Sequence, residues 1–176
     1  REGYIEQLTD QDYRQTLEIN FFGTVRTIRA ALPHLRKSGR GQIVNIASVA
    51  ALTGVFGYTA YCSSKYALLG FSEALRAELK PQGIKVQVVC PPEFDSPMVD
   101  ALNEKRTPEN LAHTSAIPKL DVSTVVDAVI SGLNRSHFMI VPGAQTGLMT
   151  FGIRHFPGIS RWVSDRRIRS AYRGPH

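Results

Sequence analysis

Two short β-branched runs, residues 42–47 (Gln-Ile-Val-Asn-Ile-Ala) and 84–89 (Ile-Lys-Val-Gln-Val-Val), each follow a much longer stretch whose apolar residues recur at threes and fours. A helix feeding a strand, repeated, is the pattern that most restricts the fold. It predicts an α/β architecture of parallel strands joined by right-handed crossover helices. The first helical stretch, 9–37, opens on Thr9-Asp-Gln-Asp12, which supplies N-cap chemistry, and carries Leu17, Phe21, Val25 and Ile28 on one side. Pro33 is expected to bend or loosen its last turns. The second, 58–80, places Ala67, Phe71, Ala74 and Leu75 on its apolar side and stops at Pro81-Gln-Gly83. The strand at 42–47 is expected to bury both faces. A third helix at 122–133 and a third strand at 138–141, closed by Pro142-Gly143, complete the alternation.

Between them, Pro91-Pro92 forces a loop over 90–97, because adjacent prolines neither donate to a ladder nor continue a helix. Residues 98–120 are weakly patterned and proline-broken, the character of a lid over a cleft, with Met98, Val99, Leu102 and Leu111 as its apolar contribution. No internal repeat or linker divides residues 1–145, which form the catalytic portion of one domain; residues 146–176 make a separate tail. Arg1 is not a methionine, and the expectation is that further residues precede it.

No apolar run reaches membrane-spanning length. Cys62 and Cys90 lack metal-ligand or disulfide-framework spacing, and no histidine pairs at helical spacing, so reduced thiols in a cytoplasmic protein without a metal are expected. The net charge of +6 is concentrated in 150–176, where Arg154, Arg161, Arg166, Arg167, Arg169 and Arg173 face the single acid Asp165. Interleaved with Phe151, Ile153, Phe156, Ile159, Trp162, Val163 and Ile168, they suit a helix lying on an anionic membrane surface or, equally, a terminal helix packed on its own domain. No nucleic-acid motif accompanies the charge.

The chemistry-bearing residues are Ser48, at the C-terminal end of the first strand, and Tyr61 and Lys65, one helical turn apart on the second helix. Reducing a ketone needs a proton on oxygen as well as a hydride on carbon, and a free phenol with a pKa of about 10 gives up its proton reluctantly at neutral pH. A lysine beside it is expected to pull that pKa down. Ser48 stands where open α/β sheets bind ligands and can hold the carbonyl oxygen. Asn20, within Glu-Ile-Asn-Phe-Phe-Gly, is awkward in a helix interior and needs polar partners, for which a water chain to Lys65 is one candidate.

In this order, Asn20-Phe-Phe-Gly23, Gly41-Gln-Ile-Val-Asn-Ile-Ala-Ser48, Tyr61-Cys-Ser-Ser-Lys65 and Pro91-Pro-Glu-Phe-Asp-Ser-Pro97 resemble the short-chain dehydrogenase/reductase family over about residues 8–143. The resemblance implies the C-terminal part of a doubly wound Rossmann-type parallel sheet. It also implies a nicotinamide cofactor, NADP(H) favoured over NAD(H), with Tyr61 as general acid/base, Lys65 lowering its pKa and holding ribose hydroxyls, Ser48 positioning the carbonyl and Asn20 supporting the proton relay. Pro91, the Phe94 backbone and the Ser96 hydroxyl would meet the carboxamide and phosphate region. Pro92 stands where the family carries glycine, and the family's glycine-rich turn is not found in these residues. Pro91-Pro-Glu-Phe-Asp-Ser-Pro97 followed by Arg106-Thr107 is most similar to the 3-ketodihydrosphingosine reductase branch, implying a hydrophobic, long-chain ketone or alcohol substrate. A 3-oxoacyl or steroid carbonyl reductase, or a non-catalytic membrane- or partner-binding member, are the alternatives. Relatives pair the two long helices across a homodimer or homotetramer interface.

Overall fold

The computed structural model describes residues 2–104 and 106–172, leaving aside the side chain of Met98. Arg173, counted with the tail arginines, lies outside the described residues.

Helix α1 (Asp10–Leu17) starts as the sequence predicts: Thr9 Oγ1 accepts from the Asp12 amide at 3.3 Å while Asp12 Oδ2 accepts from the Thr9 amide at 2.9 Å, a reciprocal cap. It passes through one wide π turn (Glu18–Phe22) into α2 (Gly23–Ser38), which continues past Pro33 and ends at Gly39 in the left-handed conformation. Strand β1 (Gln42–Ile46) then leads to a 3-10 turn (Val49–Ala51) and to α3 (Thr59–Leu79). Strand β2 (Lys85–Val89) follows, then two short helices, α4 (Pro97–Asn103) and α5 (Pro108–Thr114), then α6 (Val122–Leu133) and β3 (Met139–Ile140). The tail is two helices, α7 (Ala144–His155) and α8 (Pro157–Ala171), broken at Phe156-Pro157.

The three strands lie in the order β1-β2-β3, all parallel, with Gln42 opposite Lys85 and Ile46 opposite Val89. The first core cluster packs Ile28, Leu32 and Leu35 of α2 and Phe71, Leu75 and Leu79 of α3 against Ile43, Ile84 and Val86. A second joins Leu68, Ala47, Ala51, Val88 and Cys90. Polar pins hold the layers in register. Buried Asn45 donates to Ser72 Oγ at 2.8 Å, and Ser72 in turn bonds the Leu68 carbonyl. On the opposite face, fully buried Gln87 donates to the carbonyls of Gly132 and His137, fastening α6 to the sheet.

Strand β1 departs from expectation. Ile43 and Asn45 are buried toward α2 and α3, but Gln42 and Ile46 are exposed, Ile46 by 53%. Among the described residues, only β2 is enclosed from both sides, having a strand on each edge and helices over both faces. The 98–120 segment also differs: Pro108 within it and Pro97 just before it start helices, whereas Pro118 lies in an irregular stretch. Pro97 and Pro108 take the first helical position behind the caps Ser96 and Thr107, whose hydroxyls accept from the amides of Val99 and Asn110.

Ser72→Ala removes the acceptor for a buried amide, and a loss of about 1–3 kcal/mol is expected. Denaturant unfolding with an unchanged slope and a lower midpoint checks this.

Candidate active site

The parallel ladder does not stop at the last strand residue. The Ala47 amide donates to the Val89 carbonyl at 2.8 Å and the Val49 amide to the Pro91 carbonyl at 3.0 Å. Ser48 and Pro91 therefore leave the sheet side by side. Ser48 Oγ caps the following 3-10 turn, accepting from the Ala50 amide at 3.1 Å. The first turns of α3 bring Tyr61 and Lys65 over the same point. Lys65 Nζ donates to the carbonyl of Ile46 at 3.0 Å and stands 5.6 Å from the centre of the Tyr61 ring.

One cavity of about 440 Å³ gathers these groups. Asn20, Ser48, Tyr61, Lys65, Pro91 and Phe94 line it, with Ile19, Ile46, Val49, Val55, Val99, Leu102 and Ile117 forming apolar walls. Ser96 does not; its hydroxyl caps α4. Of the expected lid residues, Val99 and Leu102 face the cavity whereas Leu111 is exposed, because α5 turns Glu109, Asn110, His113 and Thr114 inward instead. Met98's side chain is outside the described residues.

Asn20 finds its partner within the protein. The π turn widens the helix at that position, and Nδ2 donates to Ser64 Oγ at 3.0 Å, which bonds the Tyr61 carbonyl at 2.7 Å. The residue thus braces the backbone of the Tyr61–Lys65 turn. Its irregular setting, an amide in a long apolar helix, is the signal that sequence reading could turn into a π turn and did not.

The electrostatics differ from the simple expectation that lysine acidifies tyrosine. Burial raises the Tyr61 pKa, the Ser48 hydroxyl opposes the rise by favouring the phenolate, and Cys62 and Glu93 add to it. Burial likewise lowers the Lys65 pKa, with Cys90 partly opposing. Lys65 faces the ring and donates to a backbone carbonyl, and at both groups burial is the largest cause of the shift.

Sequence reading missed a polar group at the cavity roof. Glu93 lines the cavity and pairs with Arg106, which also donates to Thr114 Oγ1 at 3.2 Å. Beside them Tyr58 is buried, its ring edge-on to that of Tyr61 at 6.0 Å, and its hydroxyl lacks a hydrogen bond among the described residues. Burial first, then the carboxylate of Glu2, pushes the Tyr58 pKa up to about 12, with Arg106 opposing. A Glu following two prolines and an Arg just before Thr107-Pro108 were visible as charges on loops; nothing in the spacing announced that they meet.

A model of the short chain dehydrogenase family matches residues 1–107. The chain belongs to that family. It is 31% identical over 148 residues to the 3-ketodihydrosphingosine reductase of Dictyostelium discoideum, covering 83% of this chain and 44% of that protein. It is 34% identical over 139 residues to the bovine (Bos taurus) 3-ketodihydrosphingosine reductase, covering 76% and 42%. The chain thus spans less than half the length of these relatives. Among solved structures, a short chain dehydrogenase from Burkholderia cenocepacia in complex with NADP superposes with a TM-score of 0.74 at 27% identity, over 89% of this chain and 60% of that one. A short-chain dehydrogenase from Streptomyces avermitilis gives 0.73 at 25% identity, over 97% and 65%. Fold and family therefore agree: a Rossmann-type parallel sheet in a short-chain dehydrogenase.

The Tyr58 environment makes a pH prediction. A folded pKa above the ordinary value of 10 favours the neutral phenol in the native state, so this stabilisation is complete below pH 10 and is lost as pH rises toward about 12. Tyr58→Phe, which removes only an unbonded oxygen, is expected to keep neutral-pH stability and to lessen that alkaline loss. Unfolding of both proteins across this range measures the difference.

Proposed function

We propose that this chain is the catalytic portion of an NADP(H)-dependent oxidoreductase that interconverts a ketone and a secondary alcohol on an apolar, long-chain substrate of the 3-ketodihydrosphingosine type. The observation that supports it most is the meeting of Ser48, Tyr61, Lys65 and Asn20 with the Pro91–Phe94 stretch around one largely apolar cavity. The residues suit the nicotinamide end of such a cofactor. Lys65 carries three N–H donors, of which the Ile46 carbonyl occupies one, leaving capacity for ribose hydroxyls. NADP is favoured because a structural relative holds it and NADPH serves the reductive direction.

When bound, the cofactor supplies or accepts the hydride. The chain's own residues handle the proton and the geometry. Ser48 Oγ is placed to donate to the carbonyl oxygen, and Tyr61 Oη gives that oxygen its proton in reduction or takes it back in oxidation. Buried and raised in pKa, Tyr61 is protonated at neutral pH, the state a reductase needs in its acid. Asn20, through Ser64, holds the turn on which Tyr61 and Lys65 ride. The apolar walls, with Val99, Leu102 and Ile117 from the cover, accept an acyl-like chain. A homodimer through the long helices and a cytoplasmic location complete the proposal.

A second reading concerns the tail. No described helix is long and apolar enough to cross a membrane. Yet α7 and α8 leave Phe151, Phe156, Ile159 and Trp162 exposed, Trp162 by 62%, beside Arg166 and Arg167. That combination favours peripheral contact with an anionic bilayer while α8 packs against α5.

Nicotinamide absorbance during reduction of a long-chain amino ketone by the polypeptide that contains this chain tests the main proposal. Tyr61→Phe is expected to lower turnover about 10²–10⁴-fold with cofactor affinity unchanged; turnover equal to the parent protein's overturns it. Selective reduction of a 3-oxoacyl or steroid ketone would replace the substrate class. Replacing Arg166, Arg167 and Arg169 together is expected to reduce sedimentation with anionic liposomes, and unchanged partition removes the membrane reading.

A further inference from the structure

The cavity roof holds a charged group whose placement the proton-transfer residues do not explain. Glu93 lines the cavity on the proline-rich loop, and its carboxylate is close enough to Tyr61 to raise the phenol's pKa. A mobile carboxylate there would compete for Lys65 and hold the acid neutral beyond the useful range. It is not mobile. Arg106, whose side chain is only 4% exposed, grips its Oε1 and at the same time donates to Thr114 Oγ1 on α5. The Glu93 carbonyl in turn accepts from the Leu120 amide at 3.0 Å. One guanidinium therefore joins the loop carrying Pro91 and Phe94 to the cover built from α4 and α5.

We propose that Arg106 is a positioning residue: its ion pair with Glu93 fastens the α4–α5 cover to the proline-rich loop and restrains the Glu93 carboxylate away from the Tyr61–Lys65 pair. The proposal rests on Tyr61 being the acid/base of the site. Arginine suits the task where lysine would not, because its planar fork serves two acceptors at once and stays charged when buried. The partial burial of the pair makes the removal of one partner costly, since the other is left with an uncompensated charge. The charged and titratable surroundings are few. Cys62 and Lys65 face Tyr61 from its own helix and Glu93 from the loop; Tyr58, packed on the Tyr61 ring, senses Glu2, Glu93 and Arg106; Lys65 senses Cys90. Of these, Glu93 is the carboxylate that acts on Tyr61, and Arg106 is its counter-ion.

The test reads the phenol directly and needs no turnover. Alkaline titration of phenolate absorbance, taken as the difference between a protein and its Tyr61→Phe counterpart, isolates the Tyr61 transition in each background. Arg106→Gln is expected to move that transition to higher pH, Arg106→Lys to restore it in part, and Arg106→Gln with Glu93→Gln to return it to the parental midpoint or below. In Arg106→Gln, hydrogen exchange of residues 97–117 should lose protection by about tenfold. A folded Arg106→Gln protein with an unmoved midpoint overturns the proposal, as does a shift that Glu93→Gln does not reverse. If Arg106→Gln fails to fold, Glu93→Gln alone decides: a lower Tyr61 midpoint supports the restraint, an unchanged one overturns it. The predicted shifts in a protein that reduces no ketone would leave this electrostatic link standing and remove the reductase reading instead.

Discussion

The pairing of β1 with β2 fixes everything that follows from it. In a parallel ladder both strands end at the same edge, and here the hydrogen bonds continue beyond the strands, from Ala47 to Val89 and from Val49 to Pro91. That continuation puts Ser48 and the proline-rich loop shoulder to shoulder. Helix α3 is then set over the same edge by Leu68 in the core below and by the bond from Lys65 to the Ile46 carbonyl above. Registers in parallel sheets are chosen by buried side chains. Asn45 and Gln87, bonded to opposite layers, make a slip by one residue expensive, because each would carry an unpaired amide to the wrong face.

The site is dominated by desolvation. Tyr58, Tyr61, Cys62 and Cys90 all have raised pKa values and Lys65 a lowered one, and in each case burial is the largest cause. An environment of this kind keeps acids neutral, which favours the phenol of Tyr61 over the phenolate. At Tyr61 the counterweight is short-range and specific, the hydroxyl of Ser48, whereas Cys62 and the Glu93 carboxylate of the roof pair add to the rise. Small displacements of these groups therefore change the balance more than distant surface charges do, since interactions gain strength as solvent is excluded.

How much of this was legible in the sequence divides along physical lines. Helices and strands with clear periodicity appeared within a residue or two of their predicted bounds, α6 at 122–133 among them, because periodicity reports a buried face directly. The Ser48, Tyr61 and Lys65 cluster was legible because strand end and helical spacing place those side chains before any tertiary detail is known. Three things were not. Proline was read as a breaker over 98–120 and as part of a loop over 90–97, although Thr107-Pro108 and Ser96-Pro97 are helix starts, the same residue having opposite meanings inside and at the first turn. The exposed face of β1 depends on what covers the sheet, which a β-branched run does not encode. The Arg106–Glu93 pair joins two loops thirteen residues apart through a fold-dependent approach, and charge on a loop ordinarily signals only solvent.

The basic tail and the cavity meet through α5. Helix α8 packs on α5, and His113 of α5 senses Asp165 and Arg167 of α8, so the tail's charge reaches the inner face of the cover. From there His113 accepts from the Phe56 amide at 3.1 Å and Asn110 donates to the Phe56 carbonyl at 2.6 Å, holding the loop that leads into Tyr58 and α3. Thr114, on the same helix, receives Arg106. One short helix therefore touches the tail, the roof and the start of α3 at once. The four buried side chains of this seven-residue helix are all polar, so directional hydrogen bonding is a large part of its hold. The cover is thus the part of this fold in which the packing of the tail and the lining of the cavity share one element.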